Sequence, residues 1–144
     1  MQEDGNADLR TEIEKKFAKF SEKYFGVAKT LPIPSTPDNC GAPHLELHSN
    51  GLISLVWTER GREIERLETQ KIDVFLFWVF REMVKAIAIG RERENSHKNH
   101  KNDPRRVWFP IAVNEMAKIS QSWANELSTE FDETLRRSPF MDLK

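Results

Sequence analysis

TQKIDVFLFWVFREMVKAIAIG, residues 69–90, is the most apolar stretch of the chain and decides its fold. Phe75, Phe77, Trp78 and Phe80 lie within six positions, and Met83, Val84, Ile87 and Ile89 follow. Apolar residues fall on nearly every face of a helix drawn through it, and an all-round apolar helix is a buried one. Arg81, Glu82 and Lys85 interrupt it, and no run reaches the roughly 20 apolar residues a bilayer requires. The expectation is a central core helix carrying no catalytic group. Thr69 suits its N-cap, and Asp73 sits near the positive end of its dipole. Gly90 marks either its end or a bend ahead of Arg91 to Asn95.

Working back from this helix, the pattern changes to period two. His44 to His48 alternates, with Leu45 and Leu47 on one face and His44, Glu46 and His48 on the other. Asn50-Gly51 supplies turn residues, Leu52 to Thr58 reads as a second strand, and Arg60-Gly61 turns into a third, Arg62 to Leu67. Ahead of them, Pro32, Pro34, Pro37 and Pro43 preclude a helix between Lys29 and Pro43 and predict a loop covering a sheet edge. Further back, Leu9, Ile13, Phe17, Phe20 and Tyr24 recur at helical spacing. Asp8 caps that helix, Gly26 stops it, and residues 1–7 are expected to fray.

Forward of the core helix, residues 96–102 form a polar loop. Asp103-Pro104 then reads as N-cap and first position of a helix. Val107, Ile111, Val113, Met116, Ile119, Trp123, Leu127, Phe131 and Leu135 continue its apolar face, and Pro110 should kink or split it. The tail, SPFMDLK, reads as irregular. The fold class is therefore α+β: an N-terminal helix, a small antiparallel meander of about three strands, and two or three C-terminal helices packed on it. The length of 144 residues fits one domain spanning residues 1–144.

Composition narrows function by exclusion. With 22 basic and 23 acidic residues the net charge is -1, which gives no global signal for nucleic acid or an anionic membrane. The single cysteine, Cys40, fits a reducing compartment and has no tied histidine to make it a nucleophile. MQEDGNADLR lacks the basic and apolar regions of a secretory signal, so a cytoplasmic location is expected.

The local clusters are read in the same way. His44 and His48 are about 13 Å apart along a strand, too far to share an ion, and His97 and His100 sit beside Lys98 and Lys101, so no metal is expected. Residues 91–106 carry six Arg or Lys, which could serve phosphates, but lack an aromatic stacking pattern. Glu59, Glu63, Glu65 and Glu68 interleave with Arg60, Arg62 and Arg66 in a charged hairpin that reads as surface ion pairs or a recognition surface. Arg105-Arg106 in a first helical turn oppose the macrodipole and need partners, with Asp103, Asp73 and the hairpin glutamates as candidates. No glycine loop, nucleophile elbow or zinc motif is present. The protein is read as no enzyme, and no cofactor is expected.

One ordered set of residues resembles a known family. Trp57-Thr58-Glu59-Arg60-Gly61 is followed by Glu63, Arg66 and Thr69, then by Phe77-Trp78-Val79-Phe80. Asp103-Pro104-Arg105-Arg106, Phe109 and Trp123 complete the set. This is similar to the Imm63 family of immunity proteins, found in bacterial polymorphic toxin and contact-dependent growth inhibition systems. The resemblance runs from Leu52 to Trp123. Phe77-Trp78 departs from the family's Tyr-Trp pair, and Pro104 takes the middle place of its Asp-x-Arg-Arg element. The resemblance implies a cytoplasmic inhibitor that forms a heterodimer with the C-terminal domain of a cognate toxin, often a nuclease, and blocks its active site or substrate channel. It implies no membrane or nucleic-acid partner. Glu46, Glu59, Glu63, Glu65 and Glu68 are the candidates for toxin contact. Trp57, Arg60, Gly61, Arg66, Trp78, Asp103, Arg105, Arg106 and Phe109 are expected to be structural. The competing readings are a small nucleic-acid-binding or regulatory protein using residues 91–106, and an enzyme using the hairpin carboxylates.

Overall fold

The computed structural model describes residues 2–95 and 101–143, with side chains from residue 6 onward. The elements are α1 (Gln2–Phe25), β1 (Cys40–Leu47), β2 (Ile53–Glu59), β3 (Arg62–Thr69), α2 (Ile72–Asn95), α3 (Arg105–Ala117) and α4 (Gln121–Arg137). Among the described residues this is an α+β chain: one helix, a three-stranded antiparallel sheet in the order β1-β2-β3, then three helices. Residues 1–77 and 78–144 form two compact units, with the boundary inside α2.

In the first unit, α1 starts six residues before the expected cap, so Asp8 lies inside the helix and not at its end. Within it, Asn6 Nδ2 donates to Leu47 O at the end of β1 (3.3 Å). The apolar stripe is as expected, with Ile13 and Phe17 fully buried. α1 stops at Phe25, and the N–H of Gly26 reaches Glu22 O at 2.8 Å. The proline-rich segment meets the outer edge of β1, where Leu45 N donates to Pro34 O (2.8 Å), and it buries Leu31 and Ile33.

The strand register places Leu45, Leu55 and Leu67 in one row across the sheet, and Glu46, Ser54 and Glu68 in the next. Since side chains alternate between faces, one face is apolar and the other polar. The two turns differ. His48 to Leu52 is a three-residue loop, closed by Gly51 N to His48 O (3.0 Å), with only Gly51 at positive φ. Arg60 and Gly61 both have positive φ (52° and 77°), the two-residue turn whose twist matches paired strands. Glycine holds such a φ without strain, which accounts for Gly61; Arg60 holds it at a cost. Beyond this turn Trp57 pairs with Glu65 and Thr58 with Glu63, so Ile64 is an extra residue, a β-bulge, and is 57 % exposed.

Thr69 ends β3 and does not cap α2 directly. Its Oγ1 accepts from Lys71 N (3.0 Å), and the helix begins at Ile72. Phe75, Leu76, Phe77, Val79 and Phe80 are buried in succession, as an all-round apolar helix requires. Gly90 neither ends nor interrupts α2, which runs on to Asn95.

In the second unit, Pro110 lies inside α3 without splitting it. Pro110 is exposed, and so is Arg106, the residue whose carbonyl loses an N–H partner to it. The break falls instead at Lys118–Ser120. Ser120 is extended (φ −159°, ψ 122°), and its Oγ accepts from Trp123 N to cap α4. From α4, Trp123, Ala124, Leu127 and Phe131 are buried at helical spacing. Phe109 of α3 stacks on Phe131 at 3.9 Å, and Trp108 meets both rings edge-on.

Candidate functional site

The polar face of the sheet is organised by Arg66. Its row places it beside Val56 and His44, two residues along from the Glu46–Ser54–Glu68 row and on the same face. The guanidinium donates to Glu63 Oε1 through Nη2 (2.7 Å) and Nε (3.1 Å), and to Glu46 Oε1 through Nη1 (3.0 Å). Glu68 Oε2 lies 3.5 Å from the same Nη1 and accepts from the buried Ser54 Oγ (2.9 Å). His44, itself buried, places Nε2 at 2.9 Å from Glu46 Oε2, and His48 Nε2 lies 3.0 Å from Ser54 Oγ.

The hydrogen bond with His44, then those from Arg66, hold the Glu46 carboxyl below its ordinary range, and Arg66 does the same for Glu63. The charge balance is uneven, with three carboxylates sharing one guanidinium. Their side chains are 34 %, 46 % and 42 % exposed for Glu46, Glu63 and Glu68, so a partner can reach them.

The bulge makes this cluster possible. Simple alternation would put Glu63 with Glu65 and Leu67 on the opposite face. The extra residue Ile64 resets the phase and returns Glu63 to the side of Arg66. Glu65 stays on the Trp57 side, and Trp57 is buried. Glu59 is exposed at the hairpin end, where it lines a depression of about 510 Å³ with Arg60, Arg62 and Ile64. The five candidate glutamates therefore form one cluster of three and two outliers.

The second unit holds a network of the opposite kind. Asp103 is 6 % exposed and accepts from Arg105 Nη2 (2.7 Å), Arg105 Nε (3.1 Å), the Arg105 amide (3.0 Å) and the Met141 amide (2.9 Å). Arg105, followed by these amides, pulls the Asp103 carboxyl far below the usual carboxylate range. Arg105 also donates to Ser138 O and Pro139 O (both 2.9 Å), just past the end of α4. Asp142 accepts from the Asp103 amide (2.7 Å) and from Arg106 (3.0 Å), which also lies 4.2 Å from the Phe140 ring. The two arginines that oppose the helix dipole are thus each met by a carboxylate. Asp103 was an expected partner; Asp142 was not. Although irregular, the tail is pinned at Ser138, Pro139, Met141 and Asp142. Phe109 is buried in its stack and Trp78 is half-buried in α2.

Of the basic stretch 91–106, residues 96–100, with His97, Lys98 and His100, lie outside the described residues. Among the others, Arg91 pairs with the buried Glu115 (2.7 Å), Arg105 with Asp103 and Arg106 with Asp142. No described helix is long and apolar enough to cross a membrane, and no group of three metal-ligating side chains is found among the described residues.

A family model described as immunity protein 63 matches residues 50–133, more than half the chain, from the first hairpin turn into α4. It takes in Arg66, Asp103, Arg105 and Arg106, and leaves out α1, β1 and the tail. No curated protein and no solved structure matches the chain.

Proposed function

The chain belongs to the immunity protein 63 family, and we propose on that premise that it neutralises one cognate toxin in the bacterial cytoplasm. It binds the toxin's C-terminal domain as a heterodimer and covers the active site or substrate surface. The family match carries this reading. A nuclease is the toxin class that best suits the sheet face. Nucleases present cations to phosphates, and Glu46, Glu63 and Glu68 offer more negative charge than Arg66 offsets. Complementary charge steers encounter and fixes register, so inhibition follows from occupancy without bond chemistry. Within the five candidate glutamates, the three around Arg66 form the centre of the proposed footprint. Glu59 adds to it at the hairpin end, and Glu65 contributes only if the toxin reaches round the edge.

The test is first whether the gene directly upstream encodes a large secreted protein with a distinct C-terminal domain, and then co-expression with that domain. Survival of the host and co-purification as a one-to-one complex are expected. Growth arrest without a complex overturns the proposal. Replacing Glu46, Glu63 and Glu68 by lysine is expected to slow association about ten-fold or more at low salt. An unchanged association rate removes this face from the interface.

A further inference from the structure

The three carboxylates of the sheet face are not held alike. On Glu63 both contacts from Arg66 fall on Oε1, and on Glu68 the contacts from Ser54 and Arg66 both fall on Oε2. Among the described residues, only Glu46 of the three has each oxygen engaged. Its Oε1 accepts from Arg66 Nη1 (3.0 Å), and its Oε2 lies 2.9 Å from His44 Nε2. The charged carboxylate can only accept, so Nε2 carries the proton between them. His48 Nε2 stands 4.0 Å from Oε1, beyond hydrogen-bond reach. Contacts at separate oxygens fix the tilt of a carboxylate, whereas contacts at one oxygen leave it free to pivot. A carboxylate offers about four lone-pair positions, so Glu46 keeps acceptor capacity for a partner. His44 supplies a second observation. Its side chain is 5 % exposed, and its Nδ1 is buried with no hydrogen-bond partner among the described residues. A ring with one of its two nitrogens unmet is a poor space filler, since an apolar side chain avoids that penalty. What the imidazole adds is its hold on Glu46.

We propose that Glu46 is the anchor of toxin contact on this face, receiving a lysine or arginine of the toxin, and that buried His44 is the positioning residue that holds it ready. The inference rests on the neutralisation reading above. A side chain already fixed loses little freedom when its partner arrives, whereas Glu63 and Glu68 must each be stilled on binding. Glu63 and Glu68 supply charge, which acts on the rate of encounter. Glu46 supplies a fixed acceptor as well, which acts on how long the complex lasts. β1 provides both Glu46 and His44 and lies outside residues 50–133, while Arg66 lies inside. The anchor thus joins a segment beyond the family match to an arginine within it.

The test uses the full chain, with the toxin domain that passes the co-expression test as probe. Glu46, Glu63 and Glu68 are replaced one at a time by glutamine. Each change removes one charge and is expected to slow association by a similar factor. Glu46→Gln is expected, in addition, to raise the dissociation rate about ten-fold or more, well beyond the other two. Equal dissociation rates in the three variants, or a larger rise at Glu63 or Glu68, overturn the proposal. His44→Phe keeps a ring without the donor and should dissociate about as fast as Glu46→Gln; His44→Gln keeps an N–H and should restore slow dissociation. The double variant His44→Phe, Glu46→Gln should dissociate no faster than Glu46→Gln alone, and additive effects would overturn the role of His44. If His44→Phe does not fold, the glutamine series still decides the anchor. One readout needs no toxin: NMR couplings in the free chain should show a single rotamer at Glu46 and averaged ones at Glu63 and Glu68. Averaging at Glu46 overturns this inference alone, whereas a fixed Glu46 in a chain that ignores the toxin domain overturns the neutralisation reading and this inference with it.

Discussion

Arg66 and Asp103 each draw a set of neighbours together, and they do so in opposite senses. Around Arg66, one cation serves three carboxylates, all partly exposed, and negative charge is left over. Around Asp103, one buried carboxylate is served by a guanidinium and two backbone amides, and the second arginine has its own acid in Asp142. The first network is open: its surplus charge faces solvent and can meet a partner. The second is closed, and what it holds is the chain itself. Both contain residues from the family-matched segment, so membership of a motif does not by itself tell a contact residue from a structural one.

Asp103→Ala is expected to have the largest effect on stability. It strands Arg105 and frees the tail, at a cost of about 2–4 kcal/mol in denaturant unfolding. A cost no greater than that of Arg66→Ala would erase the distinction between the networks. Acid comes next. The Asp103, Glu46 and Glu63 carboxyls are all lowered on folding, so each adds stability that is full above its unfolded pKa and is lost as pH falls through the folded value. Denaturant midpoints should hold steady above about pH 5 and decline below it. Asp103→Asn should flatten the most acidic part of that decline, and an unaltered acid limb would show that its partners do not favour the charged form.

Arg66→Ala should cost about 1 kcal/mol, because its partners are partly solvated. The same change uncovers three carboxylates and should quicken association with a basic toxin at low salt, whereas Asp103→Ala should not. Slower association would mean that Arg66 itself touches the toxin. The smallest effect expected is from deleting Ile64. Deletion removes the extra residue, so plain alternation keeps Glu63 opposite Thr58 and on the Arg66 face, and its carboxyl should stay depressed in an NMR titration. A carboxyl that returns to the ordinary range would show that the bulge geometry, and not the register alone, brings Glu63 to Arg66.

Much of the fold was legible because it depends on local chemistry. The core helix announced itself by continuous apolar residues, and both hairpin turns by glycine after a turn-forming partner. The α+β order followed from the change of periodicity between 48 and 72. What was not legible depends on contacts far apart in the sequence. Asn6, within α1, reaches Leu47 across 41 positions. Asp142 answers Arg106 across 36 positions. Pro110 drew the expected break because proline is a strong local signal, yet at an exposed position the helix runs through it. The real break, at Ser120, had a readable sign in a serine three residues before Trp123. For the site, the residue types were visible but their grouping was not. A single uncounted residue, Ile64, decides whether Glu63 stands with Glu46 and Glu68 or with Glu65.

That same residue bears on how the protein survives at high concentration. β3 is one of the two outer strands of the sheet, and an outer strand offers a row of backbone groups on which another chain can template itself. The bulge spoils the straight, regular spacing such zipping needs, and Arg62, Glu63 and Glu65 beside it are exposed charges that resist desolvation. The free edge of β3 is therefore a poor template for a second copy of the chain.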